Sequence, residues 1–276
     1  MMLFTAATIL GLIVGLYVFA NFKKLETDEM IEGLRQNWKF AAALGLIFLA
    51  IVIENKTHEL VYGAIGKDFT YSIYTLSFSG AIEEAIQNGL RCMAADWFFI
   101  VVYLYSYTFV LFFTPFMFLI RNDKPRMKQL TLALIINYSI LIPFYIFFAV
   151  RTPGYYELTA GSIDPILYSH PNLLQTITAV DPLDNCFPSG HVSVPLTIVL
   201  LLLPIRKNRN YRRFTLFMAI LTALIIMSVL YLGIHWVADV AAGILLAILA
   251  AWITRKPGVM AWFDSKFQSG KTEPSQ

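Results

Sequence analysis

Charge is what this sequence has least of. Asp, Glu, Lys and Arg make up 14% of its 276 residues, whereas an ordinary soluble domain contains about 25% of them. The few charges are grouped, so that long uncharged stretches alternate with short polar connectors, and 58% of the residues are hydrophobic. This composition excludes a disordered chain and a coiled coil. It predicts an integral membrane protein.

Cysteine is almost as scarce. The chain has only Cys92 and Cys186, which excludes a disulfide scaffold. One bridge between them is an option, and two free thiols are the other. The net charge of +3 is too small to indicate a nucleic acid partner. The expected environment is therefore the membrane bilayer.

Seven segments are apolar enough to cross a membrane: residues 3–20, 40–53, 97–120, 129–150, 187–205, 214–234 and 236–254. A hydrocarbon core about 30 Å thick needs about 20 residues of helix, so 40–53 is short and places Trp38, Lys39 and Glu54 at the interfaces. The stretch 69–82 is uncharged but also short and rich in Ser, Thr and Tyr. We expect it to be an interfacial or re-entrant segment and not a span.

The basic residues fall on one side of this arrangement. They cluster in 21–39, 121–128, 205–213 and the C-terminal tail, whereas the long loop 151–186 has a single Arg. The positive-inside rule therefore predicts that 151–186 and the N-terminus face outward. The uncharged first segment, followed by Lys23 and Lys24, indicates a retained signal anchor. All four histidines, His58, His170, His191 and His235, fall on the outer side.

The first polar site is the run from Phe187 to His191, at the start of an apolar helix. Pro188 suits a first helical turn. The N–H groups of Ser189, Gly190 and His191 then point outward from the positive end of the helix, where they can cradle an anion. The alternative is an ordinary Pro-Ser helix start beside an interfacial histidine.

The second polar site is the pair His235 and Asp239. The two residues are four apart, so on a helix they share one face. A carboxylate in this position can orient an imidazole and fix its tautomer. The alternative is a capping aspartate beside an interfacial histidine.

Taken together, the two sites resemble the type 2 phosphatidic acid phosphatase (PAP2) superfamily of membrane lipid phosphatases and phosphotransferases. Its PSGH motif is present as Pro188 to His191, and its S-R-x5-H-x3-D motif as Ser228, His235 and Asp239. The resemblance covers roughly 97–254. It implies an all-α fold, a polytopic membrane helix bundle with a PAP2-like six-helix core plus one N-terminal transmembrane helix.

The expected organisation follows from the spans and this resemblance. Residues 1–39 form an N-terminal transmembrane anchor and a cytoplasmic loop. Residues 40–96 form a transmembrane helix and the outer interfacial or re-entrant segment. Residues 97–256 form the catalytic core, and 257–276 form a cytoplasmic tail.

The resemblance also assigns roles to the polar residues. His235 is the nucleophile that becomes a phosphohistidine, Asp239 orients it, and His191 protonates the leaving group. The substrate-binding residues that the resemblance implies are Arg151, Ser189 and Gly190; Arg91 is added to them from its position near the outer end of a span. No metal and no cofactor is expected. A metal held by two histidines and a carboxylate is the weaker alternative, because the sequence has no acidic cluster to hold a catalytic Mg²⁺.

The sequence departs from the family at two cations. The first family motif is K-x6-R-P, and here Val150-Arg151-Thr152-Pro153 supplies only the arginine, with Phe144 in place of the lysine. Val229 replaces the arginine of the third motif. This loss of phosphate-binding cations resembles the inositol phosphorylceramide synthase-like branch of the family. Arg91 is the suggested replacement cation, unless it pairs with Asp96 at the interface.

The expected function is a membrane lipid phosphatase acting on a lipid phosphate or polyprenyl (pyro)phosphate at the extracytoplasmic face. One alternative is a lipid phosphotransferase that passes the phosphoryl group to an alcohol. The other is a non-catalytic lipid-binding or transport protein on the same scaffold.

Overall fold

The computed structural model describes residues 10–11, 13–15, 17–19, 27–65, 67–178, 181–207 and 209–268. The expected span 3–20 lies mostly outside these residues. Those that are described between 10 and 19 are helical. Phe19 packs against Phe113, Phe214 and Phe217, so the end of this segment contacts the rest of the bundle.

The protein is a bundle of helices, which confirms the all-α class. The helices are α1 (Thr27–Ile65), α2 (Thr70–Leu76), α3 (Ala81–Leu90), α4 (Met93–Ile120, with a π-helical turn at Val102–Ser106), α5 (Lys124–Phe147), α6 (Pro171–Thr178), α7 (Gly190–Leu202), α8 (Arg209–Tyr231), α9 (Val237–Ile253) and α10 (Pro257–Gln268). Two short strands, β1 (Lys67–Asp68) and β2 (Phe148–Ala149), pair in parallel.

Several helices are long and apolar enough to cross a bilayer. In the part of the chain that the structure describes they are Met30–Thr57 of α1, together with α4, α5 and α8. The helices α9 and α10 are bent by 77° and count together as a further candidate span, and α7 is a shorter apolar helix. The protein is therefore a multi-pass membrane protein.

The helix α1 differs from its prediction. The sequence indicated a loop up to residue 39 and a span over 40–53, but one continuous helix runs over all of 27–65. Charged residues end the apolar stretch without ending the helix, because Glu, Lys and Arg are good helix formers. Asn37 is buried in the N-terminal part of α1, where its amide donates to the carbonyl of Gly33 and to Asn122 Oδ1.

The segment 69–82 forms no helix of spanning length. It contains α2, a 3₁₀ turn over Phe78–Gly80 and the start of α3. Phe78, Ser79 and Gly80 all have positive φ angles, so the chain reverses sharply here. An interfacial or re-entrant segment remains our prediction for this stretch.

The expected tail 257–276 begins as a helix. The helix α10 covers Pro257–Gln268, and Phe263 in it is buried against Phe40 of α1. Lys128 of α5 also donates a hydrogen bond to Asp264. The segment 257–268 therefore packs against the bundle through its apolar residues, whereas the sequence predicted only a tail.

The helices α7 and α9 approach each other closely where the two polar motifs lie. A Cβ atom on Gly243 of α9 would lie 2.6 Å from the carbonyl oxygen of Ser189. Glycine therefore permits the short distance between α9 and the start of α7. This contact brings the two motifs of the sequence into one site.

Candidate active site

Two imidazole rings face each other at the centre of the site. His191 lies in the first turn of α7, and His235 lies in the turn between α8 and α9. The Nδ1 atom of His191 is 3.3 Å from the Nε2 atom of His235. The structure thus brings together two histidines that are 44 residues apart in the chain.

The turn that carries His235 is fixed by its backbone. The N–H groups of Ile234 and His235 both donate to the carbonyl of Val229, at 3.0 and 3.1 Å. Gly233 has a φ of +70°, and a Cβ there would lie 2.9 Å from the carbonyl of Asp164. His235 therefore precedes α9, which corrects the expectation that it shares a helix with Asp239.

Asp239 has a structural contact and a contact with the nucleophile candidate. Its Oδ2 atom accepts a hydrogen bond of 2.8 Å from the N–H of Trp236, which caps α9. The same oxygen is 3.4 Å from His235 Nδ1, an ion-pair distance without hydrogen-bond geometry. Both residues are buried. The capping bond that the sequence offered as the alternative is thus present, and the same carboxylate oxygen is the one nearest to His235 Nδ1.

The start of α9 is held by residues from the segment 70–90. Glu83 Oε1 accepts from the N–H of Val237 at 2.6 Å, and Ser77 Oγ accepts from the N–H of Ala238 at 3.3 Å. Gln87 Nε2 donates to the carbonyl of Tyr231 at 2.8 Å. These side chains satisfy backbone groups that a helix terminus leaves open. The sequence had placed all three outside the catalytic core.

Trp236 is buried beside this clamp. Its ring packs edge-on against Tyr74 of α2 and Tyr156, and its Nε1 atom donates to the carbonyl of Arg151 at 2.9 Å. The N–H of Arg151 in turn donates to Thr70 Oγ1 at 2.9 Å. The backbone at Arg151, the segment 70–90 and the turn before α9 therefore form one packed unit.

The start of α7 differs in part from the predicted anion cradle. Ser189 is the N-cap, so Pro188 precedes the helix and is not in its first turn. The N–H of Ser189 donates to the carbonyl of Asp239 at 3.1 Å and is not free for an anion. Ser189 is fully buried, and its hydroxyl has no hydrogen-bond partner among the described residues. The N–H groups of Gly190 and His191 lie in the first turn of the helix, where the hydroxyl of Tyr145 is close to Gly190, 2.8 Å from the position that a Cβ atom there would take.

The two arginines predicted to bind substrate are both paired with carboxylates. Arg151 lies 2.8 Å from Glu157 and 3.5 Å from Asp68. Arg91 lies 2.9 Å from Asp164 and 3.4 Å from Asp96, which includes the alternative pairing considered for it. Neither side chain lines the cavity at His191.

A cavity of about 470 Å³ opens beside His191. Gly190, His191, Asp181 and Asn185 lie at its polar end, and aromatic and aliphatic side chains of α1, α4 and α5 form its walls. Phe48, Val52 and Phe112 line it and are also exposed on the outside of the bundle. The cavity therefore connects His191 with the outside of the bundle, and His235 lies behind His191 without lining it.

Several residues of this cavity were missed by sequence reasoning. They are Asp181, Tyr103, Tyr107, Asn185, Glu54 and Lys56. Asn185 Nδ2 donates to Glu54 Oε1 at 3.1 Å, although the two are 131 residues apart. The one sequence signal for this contact was the change from apolar to charged residues at Glu54, where the apolar run 40–53 ends.

The thiol of Cys186 lies next to the pair His235 and Asp239. One ligand atom from each of these three residues lies within 4.8 Å of the others, which is close enough for a metal ion. Burial raises the pKa of Cys186 well above its usual value, and the thiol donates to the carbonyl of Ile234 at 3.3 Å. This environment favours the neutral thiol, whereas a metal ligand must be a thiolate. Cys92 is exposed, and both cysteines are free.

Comparison with known proteins gives one match. The family model of the PAP2 superfamily matches residues 130–261, a range that contains His191, His235 and Asp239. No curated protein and no solved structure was found to match the chain. The segments 27–65 and 70–90, which line the cavity or hold α9, lie outside the matched range.

Glu83 offers a pH test of the clamp on α9. Burial is the main cause that raises the pKa of Glu83 from its ordinary 4.5, with a smaller contribution from Asp239. A carboxyl group whose pKa is raised by folding stabilises the folded protein at pH values below its pKa in the unfolded state. This stabilisation is lost as the pH rises through its pKa in the folded state. We expect Glu83→Gln to keep an acceptor for Val237 and to remove this loss. Thermal unfolding of the purified protein against pH measures it.

The matched control for that series is Glu83→Ala, which leaves the N–H of Val237 without its acceptor. We expect it to destabilise the protein at every pH, by roughly 1–3 kcal/mol for a buried unsatisfied group. Identical pH profiles for wild type and Glu83→Gln would contradict the assignment.

Proposed function

Because the chain belongs to the PAP2 superfamily through residues 130–261, we propose that it is a membrane lipid phosphatase. Its substrate is a lipid phosphate or a polyprenyl (pyro)phosphate, and the reaction passes through a phosphohistidine on His235. The observation that carries the proposal is the facing pair of imidazoles, His191 and His235, with a carboxylate behind the second ring.

The first half of the reaction transfers the phosphoryl group to the protein. With its Nδ1 proton directed at Asp239, His235 has a lone pair on Nε2 that attacks phosphorus. The bond between phosphorus and the leaving oxygen breaks, and His191 donates a proton to that oxygen. Protonation of a leaving group contributes about 10²–10⁴ to the rate.

The second half regenerates the histidine. Water attacks the phosphohistidine, the bond between phosphorus and nitrogen breaks, and His191 takes the proton that the water loses. An alcohol in place of water gives the phosphotransferase alternative with the same residues. Binding of lipid without chemistry needs no oriented nucleophile, so the geometry of His235 and Asp239 favours an enzyme.

The phosphoryl group needs donors as well as a nucleophile. The N–H groups of Gly190 and His191 and the positive end of α7 are suited to an anion. The hydroxyl of Ser189, which has no hydrogen-bond partner in the part of the chain that the structure describes, is a further donor. Lys56 of α1 lines the same cavity and adds a cation that the family motifs do not include. Phosphate binding by Arg151 and Arg91 remains a proposal, because each side chain must break an ion pair with a carboxylate before it can contact phosphate.

The cavity suits the hydrocarbon chain of the substrate. Its lining on α1 runs from Phe48 to Lys56, which corresponds to about 12 Å along a helix at 1.5 Å per residue. The apolar end lies at Phe48, Leu111 and Phe112, and the polar end lies at His191. A phosphate at His191 thus leaves its chain among the apolar side chains.

The proposed location of the site is the extracytoplasmic side of the membrane. The support is the distribution of basic loops in the sequence, with 121–128 and 205–213 on the opposite side from 151–186. The histidine pair lies at the same end of the bundle as 151–186, because Trp236 contacts the backbone of Arg151.

Substitution of the histidine pair tests the mechanism. We expect His235→Ala to abolish turnover and Asp239→Asn to reduce kcat by about 10³–10⁴, as for other orienting carboxylates. His191→Ala should affect substrates with good leaving groups least. Turnover of lipid phosphates and polyprenyl (pyro)phosphates, with and without added alcohols, measures these effects and separates hydrolysis from transfer. Full activity of His235→Ala on any substrate would refute the mechanism.

A bulky residue at the apolar end of the cavity tests the position of the chain. Overfilling a packed site costs roughly 1–3 kcal/mol, so we expect Leu111→Trp to lower kcat/KM for long-chain alkyl phosphates by on the order of tenfold to a hundredfold. Short-chain substrates should be nearly unaffected. Leu245→Trp is the control, because Leu245 is exposed on α9 outside the cavity. Equal losses on both chain lengths would mean that the chain lies elsewhere.

Thiol labelling tests the sidedness. The background is Cys92→Ser, which removes the exposed native thiol, while Cys186 is buried. Ser162 and Lys207 are both exposed. We expect Ser162→Cys to react with an impermeant reagent in intact cells and Lys207→Cys to react only after lysis. The reverse pattern would place the site on the cytoplasmic side.

A further inference from the structure

The carboxylate of Asp181 lies on the far side of His191 from the nucleophile. Its Oδ2 atom is 3.8 Å from His191 Nε2 and accepts a hydrogen bond of 2.7 Å from the hydroxyl of Tyr103. The N–H of Asp181 donates to the carbonyl of Ile177, which anchors the residue after α6. Each of the two facing imidazoles therefore has an aspartate behind it.

We propose that Asp181 is a positioning residue that keeps a proton on His191 Nε2, so that Nδ1 is the atom that gives and takes the proton of the reaction. This inference rests on the proposed function. Asp181 lies outside both motifs that identified the site, and it acts through His191 without contact with the reacting phosphate.

The geometry leaves one consistent placement of the protons. If His235 is to attack, its Nε2 atom has a lone pair, and the proton in the 3.3 Å contact belongs to His191 Nδ1. An unprotonated Nε2 on His191 would direct its lone pair at a carboxylate. The charge of Asp181 disfavours that form and favours a proton on Nε2.

The other groups around His191 support the same state. The rings of Tyr103 and Tyr107 lie with their centroids 4.9 and 4.4 Å from that of His191, within the range where an aromatic face attracts a cation. The hydroxyls of Tyr138 and Tyr145 of α5, the amide of Asn185 and the charged groups of Glu54 and Lys56 line the same cavity. Burial opposes a charged imidazole, and Asp181 is the carboxylate closest to it that offsets this cost.

The proton then moves at one atom in both half reactions. In the first, the bond from His235 Nε2 to phosphorus forms, the bond from phosphorus to the leaving oxygen breaks, and that oxygen takes the proton from His191 Nδ1. In the second, the water oxygen bonds to phosphorus, the bond to His235 breaks, and the lone pair on Nδ1 accepts the proton. Asp181 stays ionised throughout, and the proton on Nε2 stays in place.

The test is the dependence of Asp181→Asn on the leaving group. The measured quantity is kcat/KM, which covers the steps up to release of the leaving group. We expect kcat/KM for decyl phosphate, whose alkoxide needs protonation, to fall by about a hundredfold, within the range of general acid catalysis. For 4-nitrophenyl phosphate, whose leaving group needs no proton, the loss should stay below about threefold. A purely structural role would lower both values equally, and that outcome would overturn the inference.

Three further variants keep the test decisive. The double variant Asp181→Asn/His191→Ala should be no slower than His191→Ala alone, because the two residues act as a unit, and multiplied losses would overturn the inference. Asp181→Glu should recover part of the activity on decyl phosphate. Asp184→Asn removes a charge from the same loop and should leave the ratio of the two substrates unchanged. Failure of the proposed function appears separately, as activity that survives His235→Ala.

Discussion

The geometry of the site depends on how the first turn of α9 is held. A helix begins with N–H groups that have no partner within the helix, and here Asp239, Glu83 and Ser77 accept those of Trp236, Val237 and Ala238. These acceptors come from α9 itself and from the segment 70–90. The turn that contains His235 directly precedes this cap, so the hydrogen bonds of the cap also fix the position of His235.

The same arrangement explains why residues outside the range matched by the family model contribute to the structure of the site. Gln87 holds the end of α8 through the carbonyl of Tyr231 and also exchanges hydrogen bonds with the backbone of Asp164. The helix α1 supplies one wall of the cavity. The match to the PAP2 superfamily covers 130–261 and contains the histidines. The segments 70–90 and 27–65, which hold the start of α9 and complete the cavity, lie N-terminal to the matched range.

What the sequence could predict depended on how local the information was. The apolar runs predicted a helical membrane protein, and the family resemblance carried by the two motifs implied that His191, His235 and Asp239 meet. The bounds of α1 were wrong because hydropathy reports burial in lipid and not the length of a helix. Asp181, Glu83 and Gln87 escaped detection because each contacts a partner that is 10 or more residues away in the chain. Asp68 beside Arg151 and Asp164 beside Arg91 were hidden for the same reason, whereas Glu157 is only six residues from Arg151.

The opening of the cavity between α1 and α4 has a consequence for the kinetics. Phe48, Val52 and Phe112 line the cavity and are exposed on the outside of the bundle. For the lipid substrate proposed above, this opening offers a sideways path to His191 within the lipid's own leaflet. Its chain passes from one apolar medium to another, and little hydrophobic free energy is gained in the transfer. Occupancy of the site is then set by the mole fraction of the lipid among its neighbours in the bilayer. Dilution of the substrate with inert lipid should slow the protein even when the total amount of substrate in the suspension is constant.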